Sequence, residues 1–82
     1  MNLNAEFVHD INLPGWAEQS IWGYNALLEC YWAALWRDGD RTDAPRIEFS
    51  VYHLIPTMAL LTRLLADALD LPEAQVVLAL TT

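Results

Sequence analysis

The segment from Trp16 to Arg37 carries three indoles on what would be the polar side of a helix. At roughly 100° per residue, Ala17, Ile21, Tyr24, Leu27, Leu28, Tyr31 and Leu35 fall on one broad apolar stripe. Glu18, Asn25 and Glu29 fall opposite, where a solvent face belongs, and Trp22, Trp32 and Trp36 fall with them. Indoles and acids then interleave in two adjacent rows at seven-residue steps. A small protein rarely leaves several tryptophans in water, so this face demands a cover. The cover is another part of the chain, a second copy, or a different protein. The spacing predicts a long first helix over Trp16 to Trp36, weakened at Gly23 by up to about 1 kcal/mol. The fold class that follows is α+β, mostly helical.

The other segments read as shorter elements. Glu6 to His9 has the composition of a brief strand, and Pro14-Gly15 is a turn signal. Asp38-Gly39-Asp40 ends the first helix, with Gly39 as its left-handed cap. Ile47, Phe49 and Val51 alternate with Glu48, Ser50 and Tyr52, which predicts a minor half-buried strand near 47–51. Its mate is 6–9, 76–80, or the same strand of a second copy. A second helix is expected over about 55–69, with Met58, Leu61, Leu64, Leu65, Ala68 and Leu69 on its inner face. Asp70-Leu71-Pro72-Glu73 has the spacing of a capping box opening a short third helix. Val76 to Leu80 is equally readable as a strand. The whole chain, 1–82, is expected to be one small domain.

Charge narrows the partners. Eleven acids against four arginines and no lysine leave a formal charge of −7. A basic stripe for nucleic acid is missing, so direct nucleic-acid binding and docking to anionic membranes are not expected. A basic protein partner fits this charge. No run reaches the ~18 apolar residues of a membrane span, and no basic region precedes an apolar one as in a secretory signal. Cys30 is the sole cysteine, which fits a buried thiol and a reducing, cytoplasmic setting.

Catalytic and metal chemistry find little support. Asp38, Asp40 and Asp43 resemble alternating calcium ligands, but the twelfth position of such a loop is Phe49, where a bidentate glutamate is required. His9 and His53 with Cys30 have no metal-ligand spacing. Ser50 and His53 lack an orienting acid and an oxyanion site. No enzyme activity, cofactor or metal is expected.

The expected function is therefore non-catalytic protein–protein interaction. The class is an acidic inhibitor, immunity or antitoxin-type protein, or a regulatory adaptor, acting by occupying a partner surface. Trp22, Trp32 and Trp36 are the candidate anchors, ringed by Glu18, Asn25 and Glu29. Homodimerisation through the first helix is the expected assembly. Two alternatives belong to other classes. One is an apolar ligand pocket lined by Tyr24, Cys30, Tyr31 and leucines. The other is a purely structural homo-oligomerisation domain.

Overall fold

Where the long helix is expected, the chain instead folds back on itself as a β-hairpin. The computed structural model describes residues 7–39 and 43–81. Four strands, β1 (Phe7–Asp10), β2 (Ile21–Asn25), β3 (Cys30–Leu35) and β4 (Ile47–Phe49), form one antiparallel sheet in the order β1-β2-β3-β4. Two helices follow, α1 (Met58–Leu69) and α2 (Glu73–Thr81). The first helix is absent and the chain is not mostly helical, so the homodimer expected through that helix loses its structural basis.

The physical reason lies in the composition of each half. Ile21 to Tyr24 and Cys30 to Trp32 are rich in aromatic and β-branched residues, which fit a pleated surface better than a helix. Between them Ala26 to Glu29 are helix formers, and they made a single stripe out of two strands. Those four residues form the hairpin loop. The Asn25 side-chain oxygen accepts the Leu28 N–H at 2.9 Å, and Glu29 closes the loop in the left-handed region at φ 53°. Leu27 and Leu28, central to the expected stripe, are 74% and 48% exposed.

Pairing sets two faces. Trp22 lies opposite Ala33, Gly23 opposite Trp32, and Tyr24 opposite Tyr31. Directly paired residues share a face. Trp22, Tyr24, Tyr31, Ala33, Leu35, Ile47 and Phe49 therefore turn one way, and Ile21, Gly23, Asn25, Cys30, Trp32, Ala34 and Glu48 the other. The first set packs under the helices: Trp22, Ala33 and Leu35 join Ile55, Leu61, Leu65, Val76 and Leu80 in one buried core.

The ends of the sheet are tied by local chemistry. Leu13-Pro14-Gly15-Trp16 is a type II turn, with the Trp16 N–H donating to Leu13 O at 3.1 Å and Gly15 at φ 85°. Beyond β2 the buried Ser20 hydroxyl accepts the Trp36 N–H at 3.0 Å and donates to the Trp36 carbonyl at 3.3 Å. It thereby stands in for a backbone pair.

The minor strand stops at Phe49, short of the expected 51. A 3-10 turn over Val51–His53 follows, and Ile55 then returns to accept the Tyr31 N–H at 2.8 Å. Thr57 caps α1 by accepting the Leu60 N–H at 3.1 Å. Asp70 is not the start of a capping box for α2. It ends α1 in the left-handed conformation, φ 56°. The 76–80 segment is helical, with Val76, Ala79 and Leu80 buried.

Candidate protein-binding surface

The hairpin separates the residues that a helix would have gathered. Trp22 is 6% exposed, its Nε1–H donates to the Leu80 carbonyl at 3.1 Å, and His9 stacks on it at 5.3 Å. It is a core residue that ties the sheet to α2. Trp32 stands on the opposite face, half-buried, beside Gly23. Gly23, opposite Val8 and Trp32 in the sheet, is itself buried. Trp36 is half-buried at the sheet end and donates its Nε1–H to the Asp43 carbonyl at 3.2 Å. Glu18 and Glu29 are exposed at opposite ends of β2, and Asn25 is committed to the hairpin loop. The acid-ringed row of tryptophans expected on one surface is thus dispersed.

The structure assembles a different surface. Two loops flank the start of β3. The hairpin loop leads directly into Cys30, and the 3-10 turn lies alongside, with the Cys30 Sγ 3.4 Å from the Val51 carbonyl. The loops carry Leu27 at 74%, Leu28 at 48%, Tyr52 at 86% and Leu54 at 69% exposure. These are four of the eight large hydrophobics exposed among the described residues, concentrated at one end of the sheet. Scattered surface leucines are ordinary, whereas a concentration of them marks contact surfaces. Leu54 also sits at φ 54°, ψ 55°, the left-handed region, which costs a leucine about 1 kcal/mol or more. The capped turn before it and the Ile55–Tyr31 pairing after it hold Leu54 there.

Between these loops and the sheet's uncovered face lies a shallow groove of about 270 Å³, lined by Asn25, Trp32, Ala34, Glu48, Ser50 and Val51 among others. Among the described residues Glu48 is the one charged residue lining it. Trp32 was singled out by the sequence pattern; Leu54 and Tyr52 were not. One local signal bears on Leu54. Ile55 precedes Pro56 and must be extended, so the helix cannot reach back to Leu54, which is left in a connection.

The Ser50 N–H donates to His53 Nδ1 at 2.9 Å and the Ser50 hydroxyl accepts the Tyr52 N–H at 3.3 Å, so the pair forms a turn cap. His9 serves Trp22 while His53 packs edge-on against Phe49 at 5.6 Å. Asp38 and Asp43 are exposed, and Asp40 lies outside the described residues. Among the described residues no group of three or more His, Cys, Asp or Glu could hold a metal ion. Tyr24 and Tyr31 pack together at 4.7 Å on the helix side, whereas Cys30 points to the other face, so they do not line one ligand pocket. Among the described residues no helix is long and apolar enough to cross a membrane.

Comparison with protein-family models, with curated proteins and with solved structures finds no match for this chain.

Proposed function

We propose that the chain is a non-catalytic protein-binding module, an acidic inhibitor or adaptor that docks a partner on the loop end of its sheet. The observation that carries this reading is the strained Leu54, 69% exposed at φ 54°, at the same end of the sheet as Tyr52, Leu27 and Leu28. A left-handed leucine whose side chain reaches into solvent buries no side-chain area in return for its strain. Such strain persists where a surface is used. Burying four large side chains against a partner removes apolar area at about 25 cal/mol per Å², enough to anchor an interface of ordinary size. The formal charge of −7 favours a partner of opposite sign, by steering that salt weakens.

A photocrosslinking residue in place of Tyr52, in cells of the native host, tests the reading. The same residue in place of Gln75, exposed on α2, is the control. A discrete heterologous adduct at position 52, lost on Leu27→Ser with Leu54→Ser and absent at 75, supports it. Equal labelling at both positions, or an adduct of twice the chain mass alone, overturns it.

A further inference from the structure

We infer that the groove beside Trp32 is a receptor for one cationic side chain, an arginine carried on an extended segment of the partner. The inference rests on the protein-binding reading and gives that partner a chemistry.

Size is the first argument. A groove of about 270 Å³ falls below the 300–1,000 Å³ usual for small-molecule sites and suits a single side chain. Lining is the second. Trp32, Glu48, Asn25 and Ser50 line it; the Asn25 oxygen and the Ser50 hydroxyl already accept the Leu28 and Tyr52 N–H groups, so the indole and the carboxylate are the groups offered to a ligand. A guanidinium presents a flat apolar face to an aromatic ring and a fork of donors to oxygen acceptors. An anionic occupant would meet Glu48, and a purely apolar one would leave that carboxylate without a partner.

Charge complementarity is the third argument. Among the described residues the groove's only charged one is negative, on a chain with a surplus of seven acids. The groove on the helical side is different in kind. Arg63 lines it together with Asp67 and Glu73, so its charges are mixed. Position adds a fourth. Asn25 and Val51, which line the Trp32 groove, adjoin the two apolar loops, so an arginine seated there would share one interface with Leu27 and Leu54. A polar, charge-paired pocket beside apolar anchors is a common interface arrangement.

The test uses the tripeptide acetyl-Gly-Arg-Gly-amide, with the citrulline tripeptide as its neutral counterpart, followed by two-dimensional NMR of the full chain. The arginine probe should move the Trp32 indole N–H and the Asn25 and Ser50 amides saturably. Citrulline should bind about tenfold more weakly, and Glu48→Gln should weaken the arginine probe by a similar factor. Equal shifts from both probes, or shifts spread over Asp67, Asp70 and Glu73 as much as Trp32, overturn the inference. If the probe fails at Trp32 while position 52 still crosslinks a partner, only the arginine receptor falls. If the probe binds but no heterologous adduct forms, the protein-binding reading falls and the groove's chemistry stands.

Discussion

Trp22 and Trp32 belong to the two strands of one hairpin, and their surroundings are opposite. Trp22 is closed under α2, with its N–H satisfied by Leu80 and its faces met by His9 and Tyr31. Trp32 covers Gly23 and one wall of a groove on the face that no helix covers. One residue type thus serves as core and as surface, decided by pairing position alone. An indole in this chain marks a boundary of the sheet, and its neighbours across the strands tell which side it is on.

The contrast can be broken in stability measurements. Trp22→Ala should cost about 3–5 kcal/mol in urea unfolding, because it opens a cavity and leaves the Leu80 carbonyl without its side-chain donor. A chain of this size has little margin, so the variant is expected to be largely unfolded at 37 °C. Leu35→Ala, at 0% exposure on the same face, should cost about 2–4 kcal/mol. Trp32→Ala should cost only about 1 kcal/mol, from lost cover over Gly23, with the circular dichroism of the fold retained. A loss at Trp32 as large as that at Trp22 would mean that the two faces are equally packed, and the comparison would fail.

The loop end sharpens it with smaller effects. Leu54→Gly should raise the unfolding free energy by up to about 1 kcal/mol, since relief of the leucine's left-handed strain exceeds the freedom that glycine gives the unfolded chain. Partner crosslinking at position 52 should fall at the same time, a trade of function for stability. A destabilised Leu54→Gly would show that the leucine is packed and not strained. Leu27→Ser should change stability within about 0.5 kcal/mol while also lowering crosslinking.

Much of the C-terminal half was legible from spacing. The apolar positions Leu61 and Leu65 lie four apart, and both are buried against the sheet. The start of that helix was read too early, near 55, where α1 opens at Met58 behind the Thr57 cap, whereas Pro14-Gly15 does mark a turn in the first half. The hairpin was not legible in the same way. Ile21, Tyr24, Leu28, Tyr31 and Leu35 satisfy a helical period, and Trp22, Tyr24, Tyr31, Ala33 and Leu35 satisfy a strand period across the loop. A short apolar run fits both, and the helix-forming loop residues joined two strands into one apparent helix. Of the candidate site, Trp32 and the acidity were visible. The loop pair was not, because Leu27 and Leu54 are 27 positions apart in the chain and come to the same end of the sheet only after β3 has paired on both sides.

Local chemistry along the chain accounts for what needs no distant partner: the Pro14-Gly15 turn, the amphipathic α1 and the net negative charge. Which tryptophan is covered, which leucines are left in solvent and where the groove opens were decided by register. A shift of one residue in the β2–β3 pairing would turn one strand over relative to the other and put Trp22 and Trp32 on the same face. Burial of Leu35, Ile55, Leu61, Leu65 and Val76 under one set of helices holds the register where it is. That burial is a property of the assembled layers, and no segment of the sequence carries it alone.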